Sequence, residues 1–474
     1  MPSLRRIVTV ETILFVYQFA KFMSTPLIQQ LVYSKVYEEK NCSSDNHANT
    51  SVHSSCINST SLVQKAVEDE TSRWLLYINL ANSIPAIVAA LAFGAWSDKT
   101  GRRLVLCLPA VGIALNAAVV LIVWYRNLPV SYLLIGQIGS SFLGGYATFL
   151  MATFAYMADI TTHENRTLRI GILESMTYLG GCMGNLIGGL WIKSGNYAPA
   201  FWCIVAAGIF IVLYTILYLP ETRTERETTS LCRSLFCSCD SLITSARLFW
   251  DKDRSRLFYP LILGVTIFAL LSINFAGMID VIVLFAYDFP LCWASDTLGY
   301  FFAFKLAMYG VAALVILPVA KRHFHVEDFP IIYAGLISGA SGLIVLGFSS
   351  HTWMMMYLVP IVTMLRGLVV PCLRSLMSQM VGKDNQGALF SGVACVEAAC
   401  GLLATVIYNN LYPATRSLLN PHGFCFFFMS GVVLVSLLFT VVLQHCWNTA
   451  NSLKRKLINS QEEEQFYKAQ TKSY

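Results

Sequence analysis

Eight ionisable residues of this 474-residue chain fall inside long apolar stretches: Asp159, Glu174, Asp280 and Glu397, and Lys21, Lys305, Arg366 and Arg374. A charge in hydrocarbon is costly on every scale, so each is a candidate for handling an ion or a charged solute. Four acids balance four bases, and buried ion pairs that only hold helices together are the competing explanation. For Lys21, Lys305, Arg366 and Glu397 the two readings weigh equally. Asp159 and Glu174 stand apart, because they flank one short loop on adjacent helices of the same half. A desolvated carboxylate there can take a proton at one face and release it at the other, which makes Glu174 a proton-coupling candidate before a structural one. Arg374 follows Arg366 by eight residues, so two guanidiniums on one helix would project from a similar side roughly 12 Å apart. That spacing suits a clamp for the carboxylates of an anionic solute. Snorkelling of Arg374 to the membrane surface is the rival.

The elements that must carry these charges are membrane helices. The chain is 56% hydrophobic and 13% charged, with a mean hydropathy of +0.59, too apolar for a soluble protein of this length. Runs long enough to span a bilayer begin near Ile7, Trp74, Leu104, Tyr132, Leu168 and Phe201, and again near Phe258, Leu298, Ile331, Trp353, Ala388 and Phe424. The first run continues to about Val32, which is longer than the apolar core of a signal peptide. The expected class is an all-α membrane protein with twelve transmembrane helices in two six-helix bundles. Residues 1–220 and 257–446 would form the bundles, 221–256 a polar cytoplasmic linker and 447–474 a cytoplasmic tail.

Basic residues set the orientation. The excess of Lys and Arg (33) over Asp and Glu (27) is spread over short loops, so it follows the positive-inside rule and does not point to nucleic acid. Arg5, Arg6, Lys99, Arg102, Arg103, Arg166, Arg169, Lys321, Arg322, Lys383 and Lys454-Arg455-Lys456 then fall inside, and both termini are expected in the cytoplasm. The first outer loop, about 33–73, carries three glycosylation acceptors, Asn41, Asn49 and Asn58, in agreement with that orientation. A fourth sequon, Asn165-Arg166-Thr167, falls in an inner loop and is read as chance. No phosphate-binding loop, nucleophile elbow or zinc signature occurs, so an enzyme is not expected, nor a cofactor or metal, and the linker cysteines Cys232, Cys237 and Cys239 read as reduced thiols. In the helix from Leu168, Gly180, Gly184 and Gly188 form a ridge suited to close helix packing.

The turn Gly94-Ala95-Trp96-Ser97-Asp98-Lys99-Thr100-Gly101-Arg102-Arg103 combines a helix-end acid, a reversal glycine and paired arginines. It resembles the loop joining helices two and three of major facilitator transporters, Gly-x-x-x-Asp-(Arg/Lys)-x-Gly-Arg-Arg, at every fixed position. Asp98, Gly101, Arg102 and Arg103 are therefore expected at an inner gate, with the two arginines beside the next helix and the lipid face. The run Gly184-Asn185-Leu186-Ile187-Gly188-Gly189 is similar, in part, to the helix-five signature of drug-proton antiporters, with Asn185 where those have proline, which raises exchange as an alternative.

Further passages resemble the solute-carrier family that contains the proton-coupled folate transporter and the thymic stromal cotransporter. They are Thr71-Ser72-Arg73-Trp74-Leu75-Leu76-Tyr77-Ile78-Asn79, Pro290-Leu291-Cys292-Trp293 with Gly299-Tyr300, Gln386-Gly387-Ala388-Leu389-Phe390-Ser391, and Leu411-Tyr412-Pro413-Ala414-Thr415. The resemblance implies transport roles at Asp159, Glu174, Asp280 and Arg374, the glutamate in proton coupling and the arginine in substrate and proton affinity. It also implies a disulfide between Cys56 and Cys292. The chain departs from the folate-transporter pattern at Asn274, where that pattern has histidine, and at Gln137, where it has arginine; Lys21, Lys305, Arg366 and Glu397 differ too.

The expectation is a proton-coupled symporter of an organic anion, with folate-like compounds leading, in the plasma membrane. Proton coupling falls to Glu174 and Asp159, and substrate binding to Arg374, Asp280, Arg366 and Lys305. Its partners would be the anion, protons and the lipid bilayer. The alternatives are an endosomal or lysosomal transporter of another anion (a steroid conjugate, muropeptide or heme-like solute), and a receptor or scaffold that keeps a transporter fold.

Overall fold

The computed structural model describes residues 10–41, 62–162, 165–222, 255–287, 291, 293, 295–349, 353–381, 385–416 and 423–471. The elements among them are helical: α1 Val10–Asn41, α2 Leu62–Thr100, α3 Arg103–Tyr125, α4 Leu133–Phe142, α5 Gly145–Ile160, α6 Arg166–Ser194, α7 Ala198–Tyr218, α8 Ser255–Tyr287, α9 Ser295–Val311, α10 Leu317–Arg322, α11 Asp328–Phe348, α12 Trp353–Val362, α13 Val369–Met380, α14 Gln386–Arg416 and α15 Phe424–Thr471. Three pairs are single rods with a local break. α4 and α5 meet at Leu143 and Gly144, α9 and α10 at a π-helical turn over Ala312–Ile316, and α12 and α13 at Thr363 and a 3-10 turn over Met364–Leu368.

By length and composition, ten rods among the described residues can cross a bilayer. Of the twelve expected spans, α1 and α6 fall short of that composition. The physical reason is their polar content: α1 carries Glu11, Gln18 and Lys21, and α6 carries Arg169, Glu174 and Asn185. The two pack on each other. A Cβ at Gly180 would lie 2.6 Å from the Phe15 carbonyl and one at Gly184 2.5 Å from that of Phe19, so this ridge admits no larger residue without parting the helices.

Two hydrophobic cores result. One gathers residues from Val10 to Leu219, among them Tyr17 stacked on Phe149 at 3.9 Å, and takes in Phe390 and Ala394 from α14. The other gathers residues from Leu261 to Leu443 and takes in Tyr178 from α6. Each half thus seals its core with side chains of the other.

α1 runs to Asn41 and α2 begins at Leu62, so both helices continue past the apolar runs into the stretch about 33–73; Val36 and Val67 are buried there and Lys40 pairs with Glu70 at 2.7 Å. At the other end of the chain, α15 continues as helix past its apolar window, Phe424–Ala450, to Thr471.

Candidate functional site

The turn after α2 closes one end of the molecule. Gly101 has φ +112°, a left-handed conformation that glycine alone adopts freely, and a Cβ there would meet the Glu221 carboxyl at 2.6 Å. That carboxylate accepts from the Arg102 backbone N–H at 2.8 Å and so caps α3, whose own N-terminal side chains supply no cap. Arg102 was expected beside lipid. Instead it is 0% exposed, because Asp98 (2.5 Å), Asp159 (2.9 Å) and Ser97 surround its guanidinium. Arg103 turns to the Ile216 carbonyl.

Asp98 reaches across to the other half. It accepts from the Gly387 and Ala388 amides, at 2.9 and 3.0 Å, at the start of α14, where the unpaired N–H groups of a helix favour a negative charge. Around it, Arg166 donates to the Ser378 carbonyl at 3.1 Å, and the Thr167 hydroxyl meets Ser375 at 2.7 Å and Asp328 at 3.1 Å. This is a latch joining α2, α5 and α6 to α11, α13 and α14, and it is fastened in the present conformation.

Above the latch lies a second bridge. Arg374 on α13 donates to Glu174 on α6 and to Glu397 on α14, each at 2.7 Å, and its guanidinium lies over the rings of Phe154 (4.4 Å) and Phe268 (5.4 Å). Arg374 is 4% exposed, so it does not snorkel: two carboxylates and two aromatic faces hold it inside. The Glu397 side chain is 33% exposed, which leaves one flank of the cluster open. Nearby, Gln18 donates to Thr177 at 3.2 Å and the Tyr178 hydroxyl to the Gly367 carbonyl at 3.2 Å, tying α1, α6 and the 3-10 turn together.

The expected pairings are therefore redistributed. Asp159 and Glu174 do not share a site, since Asp159 belongs to the latch and Glu174 to the central bridge. Arg366 and Arg374 do not form one clamp either. The break at Thr363 and the 3-10 turn redirect Arg366 to the Met278 sulfur on α8, 3.5 Å away, while Arg374 is taken by its carboxylates. Lys305 on α9 approaches the same sulfur at 3.5 Å and faces the Phe275 ring at 6.0 Å. Asp280 accepts from the Thr405 hydroxyl at 3.0 Å. Asn274, at the departure from the family histidine, is fully buried and donates to the Met429 carbonyl at 2.7 Å. Lys21 is half-buried on α1.

Sequence reasoning missed Glu221, Ser97 and Met278 as members of these clusters, and the two α14 amides that receive Asp98. An acid directly after Leu219-Pro220, at the end of a span, was the available signal for Glu221; nothing local marks Met278. Cys56, Cys292, Asn49 and Asn58 lie outside the described residues, as do Cys232, Cys237 and Cys239, and of Asn41 only its place as the last residue of α1 is described.

Comparison with known proteins agrees with this architecture. The family model "Major Facilitator Superfamily" matches residues 12–405. The proton-coupled folate transporter of Rattus norvegicus is 30% identical over 441 residues, 92% of each chain. The lysosomal proton-coupled steroid conjugate and bile acid symporter SLC46A3 of Gallus gallus is 26% identical over 438 residues, 92% of this chain and 93% of that one. Among solved structures, the human organic anion transporter MFSD10 (TETRAN) superposes with a TM-score of 0.69 at 16% identity, covering 93% of this chain and all of that one. FucP in the outward conformation superposes at 0.60 and 10% identity over 93% and 99%. At such identities these two likenesses concern the fold alone.

Proposed function

We propose that this chain, which belongs to the Major Facilitator Superfamily, carries an organic anion across its membrane together with protons, with folate-like compounds as the leading substrates. It is a multi-pass membrane transporter, not an enzyme, and transport of this kind calls for no cofactor. In this reading all twelve rods cross the membrane, including α1 and α6, where Glu11 pairs with Arg169, Gln18 with Thr177, and Glu174 joins the central bridge. Residues 1–220 and 257–446 rock as two bundles, joined by 221–256, with 447–474 and both termini in the cytoplasm and the latch on the cytoplasmic side.

The observation that carries the proposal is the Glu174–Arg374–Glu397 bridge between the halves. One guanidinium faces two carboxylates, so the bridge is electrically neutral when it holds one proton. A proton on Glu174 ends its ion pair with Arg374 and loosens the contact between α6 and α13. Arg374 then keeps Glu397 but has one edge of its guanidinium open to a carboxylate of the solute, with Arg366, Lys305 and Asp280 completing the site. Asp159 serves with Asp98 and Arg102 in the latch, where its protonation would end one of the two ion pairs of Arg102 and leave the guanidinium to Asp98 and Ser97. Proton entry and substrate entry thus draw on the same guanidinium, which is what obligatory coupling requires.

Uptake of labelled folate, methotrexate and a steroid sulfate at mildly acidic and neutral outer pH tests the reading. Folate and methotrexate are expected to enter faster at acid pH; absence of folate uptake at both, with the protein verified at the surface, removes folate as the leading substrate. The likeness to the lysosomal steroid-conjugate symporter supports a second reading, in which the same machinery empties an acidic compartment, and the steroid sulfate and microscopy of the tagged protein distinguish it.

A further inference from the structure

The central bridge accounts for Arg374, but it leaves two cations unexplained. Lys305 is 3% exposed and Arg366 7%, and among the described residues neither meets a carboxylate. Their common neighbour is the thioether of Met278, a weak acceptor that can serve neither the three donors of an ammonium nor the five of a guanidinium. Asp280, two residues from Met278 on α8, is engaged by Thr405 and pairs with neither cation. Two adjacent cations without an anion are an expensive arrangement for a protein interior, and one that disappears when a doubly negative group moves between them. The surroundings suit such an exchange. Met278 is a flexible side chain that can vacate the space, the partly exposed Phe275 has its ring 6.0 Å from the ammonium, and the Arg366 stem lies over Gly339. The 3-10 turn fixes Arg366 from the backbone side, since the Gly367 carbonyl is held by the Tyr178 hydroxyl across the interface.

We infer that Lys305 and Arg366 form a receptor for a doubly negative terminus of the solute, such as a pair of neighbouring carboxylates, and that the Met278 thioether holds the place of that terminus in the empty protein. This deepens the proposed function and rests on it for the transport of the bound anion, but the receptor itself stands on geometry independent of proton coupling. The charge of the receptor favours a solute ending in two carboxylates over one that carries a single sulfate or carboxylate.

Thermal unfolding of the purified full-length protein in detergent, titrated with malonate or with acetate, tests the receptor without reference to transport. Malonate is expected to raise the melting temperature of the wild type and acetate at equal concentration to leave it almost unchanged. Lys305→Gln and Arg366→Gln should each weaken the malonate response by about tenfold or more in concentration, the loss of one or two charge-assisted hydrogen bonds. Lys305→Arg should retain it. Because each Gln variant removes an uncompensated cation, its melting temperature without ligand should equal or exceed that of the wild type, so a lost response is not a folding defect. Equal responses to malonate and acetate, a wild type that does not respond, or a malonate response kept in both Lys305→Gln and Arg366→Gln would overturn the inference. A malonate response that follows the expected pattern in a protein that moves no anion under any proton gradient would instead sink the proposed function and leave the receptor standing.

Discussion

Arg374→Gln is expected to lower acid-driven uptake by about 100-fold or more. Two charge-assisted hydrogen bonds at 2.7 Å are lost, each worth about 1.5–3 kcal/mol, and about 1.4 kcal/mol is a factor of ten. The loss has a second part, because Glu174 and Glu397 then face each other across the interface without a cation. No ion pair is then left between α6 and α13 for the proton gradient to switch. Arg374→Lys should recover only part of the rate: an ammonium can meet one carboxylate but lacks the planar fork that reaches α6 and α14 together and lies flat over Phe154 and Phe268. Initial rates of uptake, corrected for the amount of protein at the membrane, give the comparison.

The latch predicts the other large effect. Arg102→Ala leaves Asp98 and Asp159 buried without their shared cation, and breaking one partner of such a cluster costs about 3–5 kcal/mol. The expected outcome is a sharp loss of thermal stability and of uptake together. Asp98→Asn is the milder probe. The amide can still accept from one of the Gly387 and Ala388 N–H groups, but it brings no charge to Arg102 or to the start of α14. The closed end should then open more readily. Transport slows by about tenfold because the conformation fastened at this end is underpopulated, while substrate affinity measured on the purified protein changes by less than about threefold. Equal losses in rate and affinity would place Asp98 in the binding site and not in a gate.

Much of this machinery is legible in the sequence. An intramembrane charge announces itself against an apolar background, so Glu174, Arg374 and Glu397 of the bridge, Asp159 of the latch, and Lys305 and Arg366 are nameable from position alone. Asp98 and Arg102 stand out through the loop signature, and neither signal picks out Glu221 or Ser97. Gly101 was legible for a different reason, since a reversal between two long helices needs a residue free to take positive φ. What the sequence hides is partnership. Glu174 meets Arg374 across two hundred positions, and Asp98 meets Gly387 across nearly three hundred, so no local spacing selects them. Arg366 and Arg374 illustrate the cost of assuming a straight helix. Their spacing suggested a common face, but Thr363 and the 3-10 turn assign one to Met278 and the other to two glutamates. Composition marks one further difference: α1 and α6 are more polar than the ten rods long and apolar enough to cross a bilayer, because they carry Glu11, Gln18 and Lys21, and Arg169, Glu174 and Asn185.

The central claim is that the ion pair between Glu174 and Arg374 is the element through which protons drive the solute. Reconstituted protein carrying Glu174→Gln, assayed for uptake under an inward proton gradient and for exchange of labelled against unlabelled solute at equal pH, tests this most directly. The account predicts that acid stimulation of uptake disappears while exchange persists. Uptake that still rises at acid pH in this variant, to the extent seen in the wild type, would contradict it.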